Sequence, residues 1–283
     1  MQPLRRHAYA ALHCPICRAD FDLVGRSLCC QRRHTFDLAR SGYVNLATGR
    51  IAKAGGDTID QLQRRRAFLA SGAFDFIADA IVARTRRQRW RTTPLVLDAG
   101  CGTGYHLDRV TRGLAAETGR PCAGLGIDLA KVAVRMAAGE RKALAFAVAD
   151  VWSDWPVGSA AADLLINVFA PKNFSEMART LRHDGQLAVA YAGPEHLIEL
   201  REMLGLMDPQ PGKEASYRRQ MRGLGAGVLH DRLRRSVQMS RDQALDLILM
   251  GPNARHVSAA GIPAWSGSKT VTFDVELLVT TVI

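Results

Sequence analysis

Two groups of residues in this sequence have the types and spacings that do chemistry. The first is Cys14-Pro15-Ile16-Cys17 followed by Cys30-Gln31-Arg32-Arg33-His34, a C-x2-C…C-x3-H set. Zinc takes four thiolate or imidazole ligands in a tetrahedron, and two short-spaced pairs on two turns supply them with little chain strain. Cys29 offers a competing C-x4-H spacing, and Cys30 is the preferred ligand. No position for water is evident, so the expected role is structural. The second group is Val96-Leu97-Asp98-Ala99-Gly100-Cys101-Gly102-Thr103-Gly104, an acid at a strand end followed by three alternate glycines. Glycines there let the backbone turn tightly and approach a ligand closely. Dinucleotide enzymes use G-x-G-x-x-G to seat a pyrophosphate on a helix N-terminus. The spacing here is G-x-G-x-G, and Asp98 would repel a pyrophosphate but attract a cation. S-adenosylmethionine (SAM), with its sulfonium and amino groups, is the cationic nucleoside that fits Asp98, Gly100, Gly102 and Gly104.

Three more strand ends carry suitable groups. Asp128, closing Gly126-Ile127-Asp128, can accept from both ribose hydroxyls. Asp150, in Ala149-Asp150-Val151-Trp152, suits either an adenine contact or a helix N-cap, and both stand open. Asn167-Val168-Phe169-Ala170-Pro171 ends the fourth strand, beside the expected methyl-transfer position. Asn167 is the candidate catalytic residue, able to orient an acceptor through its amide, which both donates and accepts. Phe169 or Trp152 could stack a base; each serves equally well as a core residue.

These residues need a frame that brings strand ends together. Leu95-Val96-Leu97 reads as a buried strand, with others at about 123–127, 144–148, 163–168 and 186–192. Helices fall near 105–118, 130–138, 174–181 and 195–206, so strand and helix alternate. That rhythm predicts an α/β fold with a doubly wound, mainly parallel, seven-stranded sheet of the class I methyltransferase type. Leu233–Met239 and Thr270–Val282, around a helix at 241–250, would close it as an antiparallel pair. The expected division is a zinc-binding, RNA-recognising module over 1–45, a basic linker with helices over 46–94, and the SAM-dependent domain over 95–283. Ser71-Gly72 should split the helical stretch 61–88 in two.

Charge is unevenly placed. Net charge is +11, yet residues 1–94 hold 17 Lys/Arg against 7 Asp/Glu, which leaves only +1 for the rest. A concentrated basic field attracts a polyanion, with nucleic acid the natural candidate. The expected phosphate contacts are Arg32, Arg33, Arg40, Arg50, Lys53, Arg64, Arg65 and Arg66. No apolar run of about twenty residues occurs, so no membrane span is expected. No secretory signal is evident, and crowded thiols without a disulfide scaffold suggest the cytoplasm.

Taken together, these blocks resemble the RlmA-type 23S rRNA (guanine-N1)-methyltransferase family. The likeness lies in Cys14-x2-Cys17…Cys30-x3-His34-Thr35-Phe36-Asp37-x-Ala39-Arg40-x-Gly42-Tyr43-Val44-Asn45-Leu46, in Arg66-Ala67-Phe68-Leu69-x-Ser71-Gly72, in Asn167–Pro171 and in Pro194-Glu195-His196-Leu197-x-Glu199-Leu200. It runs from about residue 12 to 206 and more weakly to the end, and is strongest toward the macrolide-resistance branch. The resemblance implies a homodimer, a basic cleft for a 23S rRNA hairpin, and methylation of guanine N1. It also implies that Phe74, His106, Leu107, Asp128 and His196 lie near SAM, and that Cys30 rather than Cys29 binds zinc. Two departures stand out: Phe74 replaces a tyrosine of some members, and a tryptophan expected just after Met250-Gly251-Pro252 is missing. Two rival readings are a small-molecule SAM methyltransferase and an inactive RNA-binding assembly factor.

Overall fold

The computed structural model describes residues 2–48, 57–85, 90, 93–210, 212–258 and 261–283. Arg50 and Lys53 lie outside the described residues. The chain opens on α1 (Pro3–Tyr9), with proline at the first helical position, where its missing N–H costs nothing. Strands β1 (Phe21–Val24), β2 (Ser27–Cys30) and β3 (Thr35–Asp37) then form a small antiparallel sheet. Val24 pairs with Ser27, so the β1–β2 hairpin turns through two residues, with Gly25 at φ +61°.

Strand β4 (Val44–Asn45) leaves this small sheet and joins the large one, pairing parallel with β7 (Ala145–Val148). Seven strands were expected in the large sheet and eight are present; β4 is the addition. Without it β7 would be an open edge with unpaired N–H and C=O groups. Val44 lies beside Ala147, and the Leu46 N–H continues the pairing by donating to the Val148 carbonyl at 3.0 Å. Two residues give almost no periodic signal, so the strand is silent in the sequence.

Helices α2 (Ile59–Ala70) and α3 (Asp75–Arg84) follow, separated at Ser71-Gly72 as the spacing predicts. Thr58 and Gln61 form a reciprocal capping box at the start of α2. Then come β5 (Leu95–Ala99), α4 (Tyr105–Thr118), β6 (Ala123–Asp128), α5 (Lys131–Glu140), β7, β8 (Ala162–Val168), α6 (Phe174–Thr180) and β9 (Leu181–Ala192). The chain ends with α7 (Ile198–Leu204), α8 (Lys213–Arg222), β10 (Gly225–Met239), α9 (Arg241–Leu249) and β11 (Lys269–Val282). Helix α8 is polar over most of its surface and buries only Met221, which is why periodicity does not mark it.

The large sheet runs β10-β11-β9-β8-β5-β6-β7-β4. Strand β5 pairs parallel with β6 on one side and β8 on the other, so chain order reverses there. Ligands bind at such a switch point, beyond the carboxyl ends of the strands. Strands β9, β11 and β10 are joined by antiparallel pairing, which closes the sheet as expected. Apolar layers cover both faces. One includes Phe74, Ile77, Leu107, Phe146 and Phe273; the other includes Tyr9, Leu12, Trp155, Leu165 and Leu187. Tyr9 and Leu12 are fully buried, so the front segment is built into the second layer. Among the described residues no helix is long and apolar enough to cross a membrane.

Candidate active site and zinc centre

The first site is a closed metal centre. The ligand atoms of Cys14, Cys17, Cys30 and His34 all lie within 4.8 Å of one another. The Cys17 and Cys30 sulfurs are 3.6 Å apart, and His34 Nδ1 is 3.5 Å from Cys14 Sγ and 3.4 Å from Cys30 Sγ. Bonds of about 2.3 Å to sulfur and about 2.0 Å to nitrogen give a tetrahedron edges of roughly 3.5–3.8 Å. The site therefore has the size and donor set of structural zinc. Two turns shape it: Arg18 and Arg33, at φ +61° and +64°, take the left-handed region just after Cys17 and just before His34. Cys29 lies on the other face of β2, with the Thr35 hydroxyl donating to its sulfur at 3.7 Å. Alternation along a strand thus decides between the two adjacent cysteines. Burial raises the Cys30 thiol, but backbone N–H groups of His34 and Arg32 outweigh it and bring it down to about 7. His13 pairs with Asp20 outside the cluster.

Strand β5 delivers Asp98 to the switch point, 2% exposed, and its carboxylate has no hydrogen bond or ion pair among the described residues. Burial, and then the charge of Asp128, push its carboxyl well above the ordinary carboxylate range. Asp128, at the end of β6, accepts from the backbone N–H groups of Gly102 and Ala130, both at 2.8 Å. Burial raises it too, and those two N–H groups and the charge of Arg65 offset only part of the rise. Two buried, undercompensated carboxylates flank the glycine turn, and a cationic ligand would relieve both. Gly100, Gly102 and Gly104 all have positive φ, at +82°, +52° and +75°. At Gly104 a Cβ would stand 2.8 Å from the Phe146 ring.

Two further polar atoms near these strand ends are buried without a partner: His106 Nδ1 on the first turn of α4 and Asn167 Oδ1 at the end of β8. Such groups are rare in folded proteins and here fit a polar ligand. Leu107 is fully buried, so its backbone N–H, one of the unpaired donors of the first turn, is what α4 offers there. Asn167 is buried as well; its Nδ2 donates to the Ala99 and Pro171 carbonyls at 2.8 and 2.9 Å. Its donor half therefore braces two loops, and only Oδ1 remains. Asp150 Oδ1 accepts from the Trp152 N–H at 2.9 Å, closing a turn and capping no helix. Trp152 is 67% exposed.

An aromatic shelf completes the region. The rings of Phe74 and Phe169 are 5.6 Å apart, with His196 5.7 Å from Phe169 and 6.3 Å from Phe74. Phe169 is 41% exposed and holds a φ of +52°, which is uncommon for an aromatic residue and typical of functional loops. His196 Nδ1 lies 3.0 Å from the Asp274 carbonyl oxygen. Its side chain caps no helix; α7 begins beyond Leu197. The structure thus brings Phe74 and His196 together, a proximity that no local spacing reveals.

Burial lowers both His106 and His196 from 6.5 to about 4. Because their folded values lie below the unfolded one, the unfolded chain takes up protons first on acidification. Their contribution to stability is complete above pH 6.5 and is lost progressively as pH falls toward 4. Asp98, with its raised value, acts in the opposite sense over the acid range. The double variant His106→Asn/His196→Asn isolates the histidines: its melting temperature should fall less between pH 7.5 and pH 5 than that of the unmodified protein. Equal falls would show that the imidazoles do not govern this window.

The basic residues divide. Arg32, Arg33 and Arg40 are exposed on the zinc module, with no ion pair among the described residues. Arg64 pairs with Asp60 and Asp246, Arg65 with Asp57, and Arg66 with Glu140.

A doubly wound sheet with an acid and a glycine turn at its switch point, preceded by a zinc ribbon, defines a class I SAM-dependent methyltransferase with an appended metal module. A family model for the RlmA amino-terminal zinc ribbon matches residues 12–47. The 23S rRNA (guanine(748)-N(1))-methyltransferase of Streptomyces fradiae is 37% identical over 254 residues, 89% of each chain. A Micromonospora griseorubida protein, provisionally named a 23S rRNA (guanine-N(1)-)-methyltransferase, is 38% identical over 94% of this chain and 95% of its own. The chain belongs to the RlmA-type 23S rRNA (guanine-N1)-methyltransferase family. A chain from the complex of the Haloferax volcanii Trm112 methyltransferase activator and its provisionally assigned methyltransferase shares the fold. Its TM-score is 0.50 at 19% identity, covering 81% of this chain and 99% of its own.

Proposed function

We propose that this protein transfers the methyl group of SAM to N1 of a guanine in a loop of 23S rRNA. One observation carries the reading: an exposed aromatic, Phe169, stands beside Phe74 and His196 on a loop that Asn167 ties to the acid-and-glycine turn. Bound SAM supplies an electrophilic methyl group; the protein's own task is to place an acceptor nitrogen in line with it. In this reading Asp98 faces the cofactor's amino group and Asp128 its ribose hydroxyls. Gly100, Gly102 and Gly104 admit its tail, and Asp150 lies toward the adenine. Phe74, His106, the Leu107 N–H and His196 complete its surroundings. Asn167 acts as a positioning residue through its two carbonyl contacts, and Phe169 offers a face for a splayed guanine. Arg32, Arg33 and Arg40 grip phosphates beside the zinc centre. A homodimer accords with the family, and a cytoplasmic setting with six cysteines that form no disulfide.

Primer extension on 23S rRNA fragments incubated with protein and SAM tests this directly. A stop should appear at one guanine in a hairpin loop, because a methyl group on N1 blocks pairing. Absence of any stop, with methyl uptake by small metabolites instead, would overturn the assignment. Affinity for the hairpin should fall steeply with salt. The variant Arg32→Ala/Arg33→Ala/Arg40→Ala should flatten the log–log salt slope by about 2 to 3, at roughly 0.7–0.9 per phosphate contact. An unchanged slope would remove these arginines from the interface.

A further inference from the structure

Arg65 lies within a run of three arginines that the sequence offers as phosphate ligands, yet the fold brings it to the glycine turn. Nη1 of Arg65 is 3.8 Å from where a Cβ on Gly102 would stand, and among the described residues, apart from the glycine's two chain neighbours, no other side chain comes within 4 Å of that point. Gly102 is the residue whose N–H holds Asp128, and the Arg65 charge acts on that same carboxylate. The guanidinium is anchored on two sides, donating to Asp57 Oδ2 at 2.5 Å and to the Met250 carbonyl at 2.6 Å. Three of its five N–H groups have no partner among the described residues. Its neighbours in sequence are committed elsewhere, Arg64 to Asp60 and Asp246 and Arg66 to Glu140.

The geometry points to Arg65 as the residue that holds the carboxylate of the cofactor's methionyl tail across the glycine turn. The charges require such a group. SAM carries an ammonium, which suits Asp98, ribose hydroxyls, which suit Asp128, a sulfonium, and one carboxylate, which both acids repel. A fixed cation over the turn converts that repulsion into a bidentate, charge-assisted contact. Arginine suits the task because its planar fork is preorganised, and here Asp57 and the Met250 carbonyl hold the plane before ligand arrives. Helix α2 thereby links the basic front of the chain to the cofactor. A second cation near the turn, Arg141, acts on Cys101 and pairs with Glu140 through Nη1, while its Nε is buried without a partner among the described residues.

This inference rests on the cofactor reading above, and calorimetry on the full zinc-loaded chain separates the two. The probes are S-adenosylhomocysteine and its decarboxylated counterpart, which differ only in the carboxylate. The unmodified protein should bind S-adenosylhomocysteine about 10- to 100-fold more tightly than the decarboxylated form, the scale of a charged hydrogen-bonded contact. Arg65→Gln should lose that gap by weakening S-adenosylhomocysteine alone, leaving the decarboxylated ligand within about twofold. Arg65→Lys, keeping charge without the fork, should restore part of the gap. Equal weakening of both ligands by Arg65→Gln would overturn the assignment by showing a structural role. Loss of the gap in Arg141→Gln instead would transfer it to that residue. Failure of the unmodified protein to bind either probe would overturn the cofactor reading itself.

Discussion

Cys30→Ser should release the metal: zinc bound per chain should drop from about one to near zero, whereas Cys29→Ser should leave it unchanged. The two cysteines are adjacent in sequence, so the contrast tests the strand geometry rather than general sensitivity to losing a thiol. Cys30 contacts Cys17 Sγ and His34 Nδ1 at 3.6 and 3.4 Å, while among the described residues the Cys29 sulfur has the Thr35 hydroxyl as its polar contact. The effect should reach well past the ligands. The three short strands bury few large side chains, chiefly Leu28 with the edge of Phe21, too little to fold unaided. Structural zinc in such modules contributes an apparent ~10–16 kcal/mol of binding free energy at neutral pH. The module is also fastened to the catalytic domain. Arg18, which follows Cys17, donates to Asp154 Oδ2 at 2.6 Å and to the Trp155 carbonyl at 3.1 Å. Leu12 bridges to Val157, and β4 lies against β7. Metal loss should therefore bring early proteolytic cleavage within residues 13–45 and a drop in melting temperature, measurable by limited trypsin digestion and calorimetry. An intact, protease-resistant Cys30→Ser chain without zinc would show that packing alone sustains the module.

Gly100→Ala should lower kcat/KM by about 100-fold or more, a larger effect than its loss of stability. At φ +82° an L-residue is strained by about 1–2 kcal/mol. The larger effect is steric. The added methyl would stand 2.4 Å from the Ala170 Cβ, a distance real carbons do not adopt. Ala170 follows Phe169 and precedes Pro171, whose carbonyl accepts from Asn167. Relief of the clash must displace the glycine turn or the Phe169–Pro171 loop. Those two segments would present the methyl donor and its acceptor to each other. A misplacement of about 1 Å in an in-line transfer costs on the order of 10²-fold. Gly119→Ala is the control. It has a similar φ, +65°, at the end of α4, but nothing lies within 4 Å of its Cβ, so it should show the backbone strain without the loss of rate. Steady-state kinetics on an rRNA hairpin, with melting curves for both variants, make the comparison. Equal kinetics for Gly100→Ala and the unmodified protein would separate the two loops functionally.

Much of this molecule is legible in order and spacing alone. The zinc set can be read because its ligands come as two short-range pairs, and short-range geometry survives in sequence. The strand–helix alternation from Leu95 to Ala192 can be read because the central strands β5, β6 and β8 are buried on both faces and so appear as largely apolar runs. Asp98, Asp128 and the glycines follow from that alternation, since switch-point ligands sit at strand ends.

Tertiary structure decided what depends on contacts between distant segments. Strand β4 is defined by its pairing with β7, and two residues have no period of their own. Phe74, Phe169 and His196 meet from three separate parts of the chain, which no window of sequence can show. The choice between Cys29 and Cys30 turned on which face of β2 looks toward His34. Charge counting treats Arg64, Arg65 and Arg66 alike. Folding separates them, because acids remote in sequence, Asp246 and Glu140, and the glycine turn itself claim each guanidinium in a different way. A sequence states which charges a chain carries; only the packed fold determines what each one faces.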